Sequence, residues 1–174
     1  MPETFAEYVQ RLRGYLGSKD PLQSMQETPS TLANLLHSTS DAVLSHPLAP
    51  GKWSAQEIVA HLADAELVSG FRFRLIAGSD DGVPIQGYDQ DRWAATGNYR
   101  TVPIEQSLQS FTSLREMNVR FLRSLPASAW DKYGLHSERG RETLRDLMTL
   151  LAGHDLNHLS QIKSIVDSKQ AVSA

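Results

Sequence analysis

Apolar residues recur every three or four positions through most of this 174-residue chain. An α-helix turns once per 3.6 residues, so this spacing gathers apolar side chains on one helical face. Residues 4–16 carry Phe5, Tyr8, Val9, Leu12, Tyr15 and Leu16 in this way, and Gly17, Ser18 and Pro21 end the segment. A second helix is expected from "TPST", with Thr28 as its cap, Pro29 in the first helical position, and Leu32, Leu35, Leu36 and Val43 as its stripe. "SHPLAPGK" (45–52) reads as a loop. The third helix opens at "WSAQE", where Ser54 and Glu57 form a capping box, and keeps its period to about residue 77. The fourth runs from Pro103 to about Leu125, and Pro126 stops it. The fifth, 143–168, has a box-like start in Thr143 and Asp146, and the closing "KQAVSA" reads as a frayed end.

Two stretches break the period. "ASAWDKYGLHSERGRE" is a connector with a short helical turn and a brief extended piece. Residues 78–102 form a long loop rich in Gly and Asp that carries Tyr88, Trp93 and Tyr99. Long loops of this kind in compact domains are often functional. The three aromatics suit a lid over a ligand pocket or anchors for the loop itself, and anchoring is the preferred reading. Four helices long enough to bury one face each favour an all-α fold, a four-helix bundle with an extra N-terminal helix and 78–102 as a long crossover. One domain is expected over 1–174, with an extension helix at about 1–20 and the bundle at about 22–168.

Composition narrows the function. The net charge of -3 supplies no field for nucleic acid or anionic lipid. The chain has no cysteine, which removes disulfides, thiolate ligands and a cysteine nucleophile. "MPETFAEYVQ" lacks the basic and apolar runs of a signal peptide, and no apolar run approaches a membrane span, so a cytoplasmic protein is expected.

The stripe of the fifth helix reads Leu144, Leu147, Leu151, His154, His158, Ile162, Ile165. Two imidazoles four residues apart point the same way, one turn apart, as two ligands of one ion must. The third helix carries His61 in its own stripe. If these helices face each other, three neutral imidazoles converge, and three nitrogens with positions left open describe a catalytic type of metal site. The competing reading of each histidine is a hydrogen-bonded packing residue. Asp64 lies within roughly 60° of His61 around the helix and is a candidate orienter, proton acceptor or fourth ligand, or an edge-of-core carboxylate. Glu66 is expected to face solvent or a neighbouring helix. Asp155 points about 100° away from His154 and is not nominated. His136 reads as an exposed loop histidine, and His37 and His46 have no partner at ligand spacing.

Together "WSAQEIVAHLADAE", "YDQDRW" and "TLRDLMTLLAGHDLNHLSQI" resemble the DinB/YfiT-like superfamily of bacterial helical proteins, over roughly residues 22–165. The resemblance implies an up-and-down-type four-helix bundle whose crossover joins the second and third bundle helices. It implies a divalent metal on His61, His154 and His158, and homodimers are common among such proteins. It implies no single reaction, since some relatives are transferases or isomerases that use low-molecular-weight thiols, and many others are known only by the name of metal-dependent hydrolase or as damage-inducible proteins without an assigned activity. The expectation is a metalloenzyme with Zn²⁺ or Ni²⁺ first among the cations and Fe or Cu next. It would act on a small-molecule substrate, a low-molecular-weight thiol among the options, and bind neither nucleic acid nor membrane. The rival is a dimeric interaction bundle in which a metal only anchors a ligand or is vestigial.

Overall fold

A computed structural model describes residues 3–170, apart from the side chains of 169 and 170. Its elements in chain order are α1 (Phe5–Leu16), α2 (Pro21–His37), α3 (Asp41–Leu44), α4 (Ala55–Gly78), β1 (Val83–Ile85), α5 (Gln90–Thr96), α6 (Ile104–Ser124), β2 (Tyr133–His136), β3 (Gly140–Thr143) and α7 (Leu144–Gln170). Short 3₁₀ turns lie at Tyr99–Thr101 and Ala127–Ala129. Lys169 and Gln170 continue α7, and the remainder of the expected frayed end lies outside the described residues. No helix among them is long and apolar enough to cross a membrane.

α2, α4, α6 and α7 form the bundle. α2 packs on α6 and α7, and α4 packs on the same two, so the order around the bundle is α2–α7–α4–α6. The interior falls into two apolar clusters. Met25, Phe73, Ile76, Leu122, Leu147 and Leu151 belong to one, with Ile85 of β1. Leu32, Leu36, Ile58, Leu62, Phe111, Ile162 and Ile165 belong to the other. α4 and α6 both run from the second cluster to the first, while α2 and α7 both run the opposite way. Alternation of direction therefore holds from α2 to α4 and from α6 to α7, but α4 and α6 lie side by side and parallel. This differs from simple up-and-down order for a geometric reason. Parallel neighbours need a connection that returns the full length of the bundle, and residues 79–103 supply it.

That crossover carries structure of its own. β1 pairs parallel with β2, and β2 pairs antiparallel with β3, in the registers Ile85↔His136 and Tyr133↔Thr143. The all-α expectation is corrected by this three-stranded sheet at one end of the bundle. Strands of three and four residues are too short to show alternation, and β1 meets its partner only after α6 has intervened. Gly134 lets them close together, since a Cβ there would stand 2.4 Å from Ile85 Cδ1.

Two capping boxes expected from the sequence are formed. The Glu57 N–H donates to Ser54 Oγ at 3.2 Å, and the Asp146 N–H donates to Thr143 Oγ1 at 3.0 Å. The start of α2 is a correction. Asp20 is its cap, accepting from the Gln23 N–H at 2.7 Å, and Pro21 takes the first helical position. Pro29 therefore sits inside the helix, where its missing N–H leaves the Met25 carbonyl without a helical donor. Arg115 of α6 fills that gap, its Nη1 donating to the Met25 carbonyl at 2.8 Å.

Candidate metal centre

α4 and α7 are neighbours in the bundle, and they bring His61, His154 and His158 together. His61 Nε2 lies 3.0 Å from His154 Nε2, and His158 Nε2 lies 3.2 Å from the same atom. Tetrahedral zinc with Zn–N bonds of about 2.0–2.1 Å sets its nitrogens roughly 3.3 Å apart. Burial pushes His61 down to about 3 and His158 down to about 4, and it holds His154 well below the ordinary imidazole value. The positive charge of neighbouring groups adds to this for all three. The rings are therefore neutral at pH 7 and keep a lone pair each. His158 Nδ1 meets Gln161 Oε1 at 2.9 Å, which places the ring proton on Nδ1 and turns the Nε2 lone pair toward the other rings. Trp53 packs on His61 with ring centroids 4.8 Å apart.

These residues fit a divalent cation. Three buried nitrogens converge on one point, and a single N–H···N bond can satisfy only one pair of them, whereas a cation satisfies all three lone pairs. Among the described residues no carboxylate joins the triad, so a cation held there would keep positions open for water or substrate.

Behind the triad, between the two apolar clusters, lies a buried polar layer. Arg115 Nη2 donates to Glu66 Oε2 at 2.7 Å, and its Nη1 pairs with Asp155 Oδ2 at 2.7 Å. Asn118 Nδ2 donates to Glu66 Oε1 at 2.9 Å. Burial pushes the Asp155 carboxyl up to about 6 against the pull of Arg115. Glu66 is thus a core residue and not a solvent-facing one. Asp155 does point away from the histidines, as its azimuth requires, but into the interior. α7 is enclosed by α1, α2 and α4, so more than one of its faces is buried. The legible signal was a set of polar residues, Thr28, Glu66, Arg115 and Asp155, at one level of four different helices.

His154 opens onto a cavity of about 440 Å³ lined by Ser69, Arg72, Tyr88, Gln90 and His136, and roofed in part by Phe5 and Tyr8 of α1. His158 opens onto a second cavity, lined by Trp53, Lys52, Gln90 and Gln161. Gln90, at the start of α5, borders both, so the crossover passes over the triad. His136 is a correction to the exposed-loop expectation. Its place on the central strand of the sheet turns the ring inward, and only 4% of the residue is exposed.

Asp64 stands at the edge of α4, where its Oδ2 accepts a hydrogen bond from the hydroxyl of the buried Tyr99. Its carboxylate is not among the atoms that converge with the imidazoles. The aromatics of the crossover divide their work. Tyr99 anchors it, Tyr88 lines the cavity beside His154, and Trp93 packs on Tyr88 at a tilt of 40° with centroids 4.6 Å apart.

A helical bundle that focuses three neutral imidazoles beneath a crossover strap has the arrangement of bundles that can house a metal between their helices. The chain belongs to the DinB superfamily, whose family model matches residues 24–162. A Bacillus mycoides (strain KBAB4) protein named "Putative metal-dependent hydrolase" is 28% identical over 144 residues, covering 83% of this chain and 82% of that one. A Bacillus cereus (strain 03BB102) protein of the same name is 27% identical with the same coverage. Among solved structures, YfiT from Bacillus subtilis, described as a probable metal-dependent hydrolase with an unusual four-helix bundle topology, superposes with a TM-score of 0.80 at 21% identity. It covers 97% of this chain and 90% of its own, and shows that the two share a fold.

Proposed function

We propose that the chain is a divalent-metal-dependent hydrolase whose cation is held by His61, His154 and His158. The convergence of three Nε2 atoms from two helices carries this reading. Water is the first nucleophile in this reading, which the names of the Bacillus relatives support, and a low-molecular-weight thiol is the second. A cation bound at this triad supplies Lewis acidity, polarising a substrate oxygen and lowering the pKa of water or thiol. An all-nitrogen donor set suits Zn²⁺ and Ni²⁺, and also accepts Fe²⁺ and Cu²⁺.

The protein's own groups shape the rest. Gln161 orients the His158 ring through Nδ1. Tyr88 and Gln90 line the cavity beside His154 from the crossover side. Asp64 is proposed as a positioning residue that holds the crossover through Tyr99; as a proton acceptor it would first have to release that hydroxyl.

Elemental analysis of protein made without a histidine tag tests the metal, and ester, amide and thiol-transfer substrates assayed beside a His158→Ala control test the chemistry. The reading expects one cation per chain and an activity that is lost with it. A chain free of metal, with stability indifferent to chelation, would instead mark an interaction bundle.

A further inference from the structure

Arg72 is buried, with 6% of its surface exposed, yet among the described residues no carboxylate lies within ion-pair distance of it. Its Nη2 donates to the Gln86 carbonyl at 2.7 Å, while Nε and Nη1 make no protein hydrogen bond and are open to the cavity. A buried cation without an anionic partner is costly unless something supplies the charge.

The group beside it sharpens the point. The Glu138 N–H donates to His136 Nδ1 at 3.2 Å, so the proton of the neutral ring sits on Nε2. That N–H lies 3.4 Å from Arg72 Nη2. Two donors thus stand side by side at the cavity wall with no acceptor between them. Burial and the nearby Arg139 charge hold His136 below the ordinary imidazole value, so the ring does not take up a second proton at pH 7. The other charges around the cavity are accounted for. Arg139 is paired with Glu142 at 2.6 Å, and Glu3 with Arg11 at 2.8 Å. Glu138 is exposed at the rim.

Along α4, His61, Ala65, Ser69 and Arg72 share one face, and Arg72 lies roughly 16 Å along the axis from His61 at 1.5 Å per residue. On α7 the same wall continues through Leu151 and Leu147. The cavity is therefore a slot with the His154 imidazole at one end, Ala65, Leu147 and Leu151 along its middle, and a donor pair at the other.

We infer that this far end is an anion subsite, in which Arg72 and His136 hold a carboxylate or phosphate group of the substrate. This rests on the proposed metal reading only in assigning the reacting group to the triad end. A substrate of this class carries its anionic oxygens about one cavity length from the bond that reacts.

Titration of zinc-loaded, tag-free protein with acetate and with inorganic phosphate, followed by NMR of the arginine Nε–H signals, tests the subsite. Saturable shifts of Arg72 with either anion are expected, and the anion that produces them distinguishes a carboxylate from a phosphate site. Arg72→Gln should weaken that binding about ten- to hundredfold, the usual size of a charge-assisted contact, with zinc per chain unchanged. Arg72→Lys should fall between. If Arg72→Gln does not fold, His136→Gln carries the test, with a loss of several-fold expected. Failure of both anions to bind, or undiminished binding in the variants, overturns the subsite. Binding lost in zinc-free His158→Ala but kept in Arg72→Gln would place the anion at the metal and also overturn it. Arg72-dependent binding in a protein that takes up no zinc would uphold the subsite while removing the metal reading.

Discussion

The carbonyl oxygen of Leu12 occupies the space a side chain on Gly153 would need, since a Cβ built on that glycine would stand 2.4 Å away from it. α1 thus lies directly against the backbone of α7, one residue before His154. Arg11 reinforces the contact, its Nη1 donating to Asn157 Oδ1 at 2.8 Å. Gly153→Ala is expected to force α1 outward and to lower stability by about 1–3 kcal/mol. Thermal unfolding of the variant measures this, and an unchanged melting temperature would show that α1 yields without cost.

Removing any one imidazole should empty the proposed metal site while leaving the bundle folded. His154→Ala is the sharpest case, because its Nε2 lies within 3.2 Å of both other rings. Metal content by elemental analysis and helicity by circular dichroism report the two halves. Full metal occupancy in that variant would exclude His154 as a ligand.

Metal-free protein should lose stability as pH falls from about 6.5 toward 4. The sign follows from the histidines. His61 and His158 have folded values of about 3 and about 4, below the unfolded 6.5, so between those limits the unfolded chain binds more protons. Their contribution is complete above pH 6.5 and is lost on acidification. Asp155, raised to about 6, acts in the opposite sense below that pH, but it is one group against three imidazoles. Urea midpoints between pH 4.5 and 7.5 measure the slope. Zinc at 100 times its Kd should add about 2.7 kcal/mol at pH 7, and less at low pH where protons compete.

Arg115→Met should be among the most damaging substitutions in the chain. It strips both Glu66 and Asp155 of their buried cationic partner and leaves the Met25 carbonyl without its donor. The expected loss is about 3–5 kcal/mol, read as a shift in urea midpoint at constant slope. A loss below 1 kcal/mol would mean that the layer relaxes around the missing guanidinium.

Tyr99→Phe separates the two roles available to Asp64. It removes the hydroxyl that Asp64 accepts and should cost about 1–2 kcal/mol by loosening the crossover. If Asp64 only positions the crossover, Asp64→Asn and Tyr99→Phe should depress the proposed hydrolysis to a similar degree and leave its pH profile in place. A shifted acidic limb in Asp64→Asn alone would mark it as a proton acceptor.

Much of this molecule is written in local pattern. The 3.6-residue period set out the long helices, the Ser54–Glu57 and Thr143–Asp146 boxes marked two of their starts, and three histidines inside apolar stripes pointed at one site. These features survive reading in one dimension because each depends on residues within a turn of one another. What local pattern could not convey depends on which distant segments meet. Pro29 looked like a helix start until Arg115 supplied the donor its ring lacks. Glu66 could face solvent or a neighbouring helix, and Asp155 only pointed away from His154, until four helices closed around one guanidinium. His136 looked exposed until β2 found β1 and β3. Apart from β3, each partner is many residues away in the chain, and the packing of the helices and the return of the crossover bring such groups within bonding distance.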